Sequence, residues 1–189
     1  MRIIAGTLKG STLYLPKNKN TRPLKDMVKE SIFNLLTHSN KILLRLEQSN
    51  VLDLYAGTGS FGLECISRKV KNVFFVEKNK SIISILEKNI EKLKVKKKIK
   101  IFIGDIFKLI NRQNIFEAKF ELIFCDPPFD DSNIENLIKL IFDKNILKKN
   151  GIIILHRSKH TKEKLPNYFK ILDIRVYGIS KIIIGKFLS

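Results

Sequence analysis

The chain has no tryptophan and only two cysteines, Cys65 and Cys125. Two thiols cannot build a disulfide framework, and no cysteine and histidine cluster of metal-ligand spacing accompanies them. One lies in an expected helix and the other in an expected buried strand, so both read as small core residues, and no metal is expected. Long apolar runs are missing as well. None reaches the length of about 18 residues that a membrane span requires, and the opening "MRIIAGTLKG" lacks the apolar stretch of a secretory signal. A cytoplasmic location without membrane attachment is the expectation. Acidic residues are scarce, 18 against 36 Lys and Arg, for a formal charge of +18. That surplus suits a polyanionic partner such as nucleic acid. An abundance of Lys, Ile and Asn also fits the bias of an AT-rich genome, which accounts for many lysines but less easily for the outnumbered acids.

What is present is enough for one sizeable core. The 189 residues are 44% hydrophobic and 29% charged, a balance that suits one folded domain with a small appendage. Residues 1 to 20 are expected to form an N-terminal β-hairpin extension, with "RIIAG" and "STLYLP" as its strands, and residues 21 to 189 the main domain. The stretch from Leu24 to Ser39 sets Val28, Ile32, Leu35 and Leu36 on one helical face. From Asn50 onward, apolar runs ("VLDLYA", "VFFVE", "IKIFIG", "ELIFCD", "GIIILH") alternate with helical patterns starting near Ser60, Asn79, Asp105 and Asp131. Continuous apolar strands imply burial on both faces, which is the pattern of a parallel sheet covered by helices. The fold class is therefore α/β, Rossmann-like and doubly wound, with a mostly parallel sheet. "FKILDIRVYG" and "ISKIIIGKF", separated by little more than Gly178, add a C-terminal antiparallel hairpin.

"VLDLYAGTGSFGLE" places Gly57, Gly59 and Gly62 in a G-x-G-x-x-G spacing after a strand and before a helix, where a ligand loop is expected. Glu77 ends the second strand, 20 residues after Gly57, in position either to accept ribose hydroxyls or to stand as a surface acid. Asp105 ends the third strand's run. It can meet an adenine amino group or simply cap the helix that follows. Asp53, inside the strand before the glycines, would repel a pyrophosphate, so a cationic adenosine cofactor fits better than a dinucleotide. S-adenosyl-L-methionine carries a sulfonium and an amino group and no phosphate. Asp53 can meet that amino group, or it can brace the loop as an acceptor. The candidate cofactor residues are Asp53, Ala56, Gly57, Thr58 and Gly59, then Glu77 and Lys78, then Asp105 and Ile106.

"IFCDPPFDD" ends the fourth strand on Asp126, Pro127, Pro128 and Phe129. Two prolines fix φ and remove backbone donors, which makes the turn stiff and rich in acceptors. An exocyclic amine on an aromatic base is a poor nucleophile because its lone pair is conjugated into the ring. A carboxylate oxygen of Asp126 and the Pro127 carbonyl, accepting its hydrogens, would aim the lone pair at a methyl donor while Phe129 stacks on the base. These four are the candidate catalytic residues. "DPPF" is similar to the [DNS]-PP-[YFW] motif of amino methyltransferases; the plain alternative is a stiff turn capped by Asp126. His156 and His160 have i, i+4 spacing but no accompanying acid motif, and read as bystanders. The basic run "KLKVKKKIK" reads as a solvated helix end or as part of an RNA footprint.

Taken in order, five blocks resemble the RsmD-type bacterial methyltransferases: "MRIIAGTLKG", "RPLKDMVKESIFNLL", "LDLYAGTGSFGLECISR", "DPPF" and "YGISKIIIGKF". The likeness runs through nearly the whole chain. It implies a class I S-adenosylmethionine-dependent methyltransferase that modifies a guanine N2 in small-subunit (16S) ribosomal RNA, acting as a monomer on RNA assembled with ribosomal proteins. It further implies that Arg22 and Pro23 shape the cofactor pocket, that Glu77 and Asp105 bind the adenosine part, and that Asp126 to Phe129 handle the guanine. Leu24 and Met27 depart from the second block, where the family has Thr and Arg. Adenine-N6 methylation of DNA or RNA, and a non-catalytic RNA-binding ribosome assembly protein, are the competing readings.

Overall fold

The computed structural model describes residues 1–16, 24–112 and 115–188. Arg22 and Pro23 lie outside the described residues. The expected apolar runs become five strands, β1 (Asn50–Leu54), β2 (Asn72–Glu77), β3 (Ile99–Ile103), β4 (Phe120–Cys125) and β5 (Leu147–Ser158). The helices are α1 (Asp26–His38), α2 (Ser60–Ser67), α3 (Lys80–Lys92), α4 (Ile106–Ile110) and α5 (Ile134–Asp143). The last two strands, β6 (Phe169–Tyr177) and β7 (Ser180–Phe187), form the expected hairpin. The sheet runs β3-β2-β1-β4-β5-β7-β6. Strands β1 to β5 pair in parallel, whereas β7 lies antiparallel between β5 and β6. This is a Rossmann-like, doubly wound sheet closed by an antiparallel hairpin.

Strand alternation explains why the runs are continuously apolar. Val51, Val73 and Phe75 pack into the core on the side of α1, α2 and α3, while Leu52, Leu54, Phe74 and Val76 pack on the side of α4 and α5. Each strand thus supplies two cores in turn. The edge strands are the exceptions: Ile103 on β3 is 53% exposed, and Ile171, Ile174 and Val176 on β6 are exposed as well.

Two elements depart from expectation. The N-terminal pair forms a hairpin shorter than expected, bridged at Arg2 and Thr12, with the Ile3 amide donating to Ser11 O at 2.9 Å and the Leu13 amide to Met1 O at 3.1 Å. The cause is competition for backbone groups. Glu64 on α2 accepts from the Ile4 and Ala5 amides at 2.7 and 3.0 Å, Ser67 O accepts from the Thr7 amide at 2.8 Å, and Ser67 Oγ accepts from the Leu8 amide at 2.9 Å. Ile3 and Leu13 join the main core. Helix α1 also buries Lys29, whose Nζ donates to Arg2 O at 2.8 Å and to Ser60 Oγ at 3.2 Å, 3.7 Å from Glu64. Burial pushes the Lys29 ammonium below its ordinary range, opposed by Glu64 and Asp26. The second departure is β5, which continues past the run "GIIILH" to Ser158 and so carries Arg157 and Ser158 into the sheet.

Candidate active site

The chain leaves β1 toward β2 on one side and is flanked by β4 on the other, so the carboxyl ends of β1 and β4 form the topological switch point. A cavity of about 430 Å³ opens there, within the size of small-molecule sites. Of the sequence-predicted site residues that are described, all line it except Gly59. Met1, Leu15, Pro16 and Leu24 supply an apolar wall from the N-terminal segment, so the arm belongs to the site as well as to the core.

Asp53 is 1% exposed, and its Oδ2 accepts from the Gly62 amide at 2.9 Å. The loop-bracing reading is therefore present in the geometry, and burial pushes the carboxyl well above the usual carboxylate range. Glu77 curls around the loop: Oε2 accepts from the Gly57 amide at 2.9 Å, and Oε1 accepts from the amides of Lys78 and Asn79, both at 2.9 Å. An ordinary surface acid would have no such set of donors. Asp105 caps α4, its Oδ1 accepting from the Phe107 amide at 3.0 Å and the Lys108 amide at 3.3 Å, and it lines the cavity beside Ile106. Both roles weighed for it from sequence are compatible with this placement. Gly59 is a packing residue. It caps α2 at φ 84°, and a Cβ there would come within 2.4 Å of Leu86 Cδ1.

On the opposite side, the Asp126 amide donates to Leu54 O at 3.3 Å, bridging β4 to β1 at the switch point. Its Oδ1 lies 2.8 Å from His156 Nδ1, and His156 Nε2 lies 2.9 Å from Ser180 Oγ. The Phe129 ring stands edge-on to His156, with centroids 5.4 Å apart and an interplanar angle of 82°. His156 is thus no bystander. For His156, looking for a local partner motif missed a partner that comes across the sheet. Cys125 registers with Leu155, which sets the next residue of each strand side by side. His160 sits beyond the end of β5, exposed, and does not line the cavity. Among the described residues, no cluster of His, Cys, Asp or Glu is arranged to hold a metal.

Arg157 is a second residue that sequence reasoning missed. It is 2% exposed, and its guanidinium donates to Pro128 O at 2.8 Å, Phe129 O at 3.3 Å and Asp131 O at 2.6 Å, while Nε donates to Glu163 at 2.9 Å. One side chain therefore clamps the turn that carries the motif. The Pro127 carbonyl is not among the oxygens it engages. A buried arginine next to a proline-rich turn was the available signal, but in the sequence Arg157 stands about thirty residues from that turn. The basic run starts at Lys92, the last residue of α3, as the helix-end reading expects. Lys96–Lys98 form a short 3-10 turn just before β3, at the amino ends of the strands, and so on the sheet edge opposite the cavity.

Comparison with known proteins agrees with this architecture. The family model described as "Conserved hypothetical protein 95" matches residues 1–186. A curated relative from Haemophilus influenzae, ribosomal RNA small subunit methyltransferase D, is 33% identical over 179 residues, covering 95% of this chain and 90% of its own. A putative rRNA methyltransferase from Bacillus subtilis is 30% identical over 190 residues, covering 98% of each chain. Among solved structures, a putative methyltransferase from Escherichia coli superposes with a TM-score of 0.85 at 23% identity, covering 100% of this chain and 98% of that one, and shares the fold.

Proposed function

Because the chain belongs to the conserved hypothetical protein 95 family, the RsmD-type methyltransferases that its blocks resemble, we propose that it methylates a guanine N2 in small-subunit ribosomal RNA. S-adenosylmethionine-dependent methylation of ribosomal RNA is the activity that the family carries. The guanine acceptor, the assembled subunit as substrate and a monomeric enzyme are the reading added to it. One observation supports methyl transfer at this site: Asp126 and the glycine loop held by Glu77 face a single cavity from opposite sides of the switch point.

The residues fit the cofactor. Glu77 stands where ribose hydroxyls would meet it, Asp105 and Ile106 line the neighbouring wall, and Asp53, accepting from the Gly62 amide, ties the start of α2 to β1 beside the cavity. When bound, S-adenosylmethionine supplies an electrophilic methyl group on a sulfonium. Asp126 accepts one hydrogen of the base amine and the Pro127 carbonyl accepts the other, turning the nitrogen lone pair out of the ring toward that methyl. Transfer would form the N–C bond as the S–C bond breaks, its electrons remaining on sulfur, and the nitrogen would then lose a proton to solvent. An ionised carboxylate only accepts hydrogen bonds. Guanine presents N1–H beside its amine, whereas adenine presents a lone pair there, which favours guanine at Asp126.

The test uses the protein with tritiated S-adenosylmethionine and small ribosomal subunits from a strain lacking the enzyme, followed by digestion and mass spectrometry of the labelled nucleosides. Label in N2-methylguanosine is the expected result. Label in N6-methyladenosine would replace the guanine reading with the adenine one. Cofactor binding without label on subunits, but with label on free RNA, would remove the assembled particle as substrate.

A further inference from the structure

We propose that His156 is a positioning residue for methyl transfer: as the neutral Nδ1–H tautomer it locks Asp126 into the rotamer that offers its second carboxylate oxygen to the substrate amine. The inference rests on the reading of Asp126 as the acceptor of the amine. Three observations carry it. Asp126 Oδ1 lies 2.8 Å from His156 Nδ1, so that one oxygen is engaged and Oδ2 is the oxygen left to meet a base. His156 is 3% exposed and sits on β5 within the sheet, so its ring is held by packing while the Asp126 side chain, 21% exposed, reaches into the cavity. Finally, His156 Nε2 lies 2.9 Å from Ser180 Oγ, on β7.

The tautomer follows from what each partner can do. An ionised Asp126 can only accept, so Nδ1 must donate to it. Ser180 can donate or accept, and its hydroxyl donating to Nε2 satisfies the buried ring without placing a cation in the sheet. The chain of contacts therefore runs Ser180 to His156 to Asp126, each donor facing an acceptor. Its effect is geometric. A carboxylate at the end of a strand turns freely about χ2, whereas one tied at Oδ1 to a ring fixed in the sheet presents Oδ2 in one direction. Phe129 stands edge-on to the same ring, so the base platform and the amine acceptor share a contact with His156.

The test exploits the two ring nitrogens. Asparagine places an amide N–H where Nδ1–H stands, and glutamine places one where Nε2 stands. His156→Asn should retain kcat within about fivefold of the parent, and His156→Gln should lose kcat on the order of 100-fold, as misplacement of a reacting group does. For both, S-adenosylmethionine affinity and the KM for RNA should change by less than about threefold, since the contact orients rather than binds. An independent readout needs no turnover. In 15N-histidine-labelled protein, which holds three histidines, the His156 signal, assigned by its loss in His156→Gln, should show a protonated Nδ1 and a bare Nε2. Asp126→Asn should shift that signal. Equal losses in the Asn and Gln variants, an undiminished Gln variant, or an Nε2–H tautomer would each overturn the proposal. If adenine proves to be the substrate, the guanine reading falls while the kcat comparison and the tautomer still decide the role of His156.

Discussion

Replacing Arg157 by methionine is expected to destabilise the fold by about 3–5 kcal/mol, the cost of breaking a buried ion pair by removing one partner. Methionine fills much of the same space, so the loss is mainly polar. The carbonyls of Pro128, Phe129 and Asp131 each lose the arginine's hydrogen bond, although Pro128 O keeps the Asp131 amide at 3.0 Å, and the Glu163 carboxylate, whose side chain is 8% exposed, is left with the Thr161 hydroxyl at 2.5 Å. Against a total of about 5–15 kcal/mol, the protein should still fold but with little margin. Urea unfolding with linear extrapolation reads the effect. With a slope near 2 kcal/mol per molar, the midpoint should fall by about 2 M. Adding Glu163→Gln removes the stranded charge without restoring the arginine's bonds to the carbonyls, so the double variant should recover roughly half of the loss, the part due to the buried carboxylate. A single variant within about 1 kcal/mol of the parent, or a double variant no better than the single, would refute the clamp as the source of the loop's rigidity.

Three further outcomes follow from the site. Asp126→Ala should lower kcat by roughly 100-fold or more while S-adenosylmethionine affinity, read by calorimetry, stays nearly unchanged, because the acceptor faces the amine and not the adenosine; undiminished turnover would remove Asp126 from the mechanism. Gly62→Ala should destabilise by about 1–3 kcal/mol despite alanine's better helix propensity, because the new Cβ would lie 2.3 Å from Phe75 Cε1 and 2.7 Å from Val73 Cγ1. A rise in melting temperature would contradict that packing. Asp53→Asn keeps an acceptor for the Gly62 amide and removes a carboxyl whose folded pKa is raised by burial. A raised folded pKa gives the parent a contribution fully present below the unfolded value of 3.8 and lost as pH climbs through the folded one. The stability of Asp53→Asn relative to the parent should therefore improve as pH rises from acid toward neutral, and a difference independent of pH would count against the assignment.

Much of the architecture is legible in the chain because local rules and the global fold agree. The runs "VLDLYA", "VFFVE" and "ELIFCD" are apolar at consecutive positions, and only a strand buried on both faces needs that. The glycine loop and "DPPF" each follow such a run, so both lie at carboxyl ends, where ligands gather in this kind of sheet. Where local signals met a tertiary competitor, they failed. "RIIAG" and "STLYLP" have strand composition but pair only around Arg2 and Thr12, because Glu64 takes the Ile4 and Ala5 amides and Asn89 takes the Tyr14 amide. Lys29 occupies a core position of α1 that no hydrophobic pattern predicts, because its partner Glu64 is 35 positions away and equally buried.

The sequence by itself determined the strand and helix periods, the order of the elements, and the two chemical motifs with the residue types that handle a cationic cofactor and an amine, since all of these depend on neighbours close along the chain. The tertiary structure decided which residues serve those motifs. The register of β4 against β5 sets His156 beside Asp126, and the extension of β5 brings Arg157 under the turn. Register and side-chain partnership across a sheet are fixed by the packing of whole layers, and a contact between residues thirty positions apart leaves no trace in either local sequence.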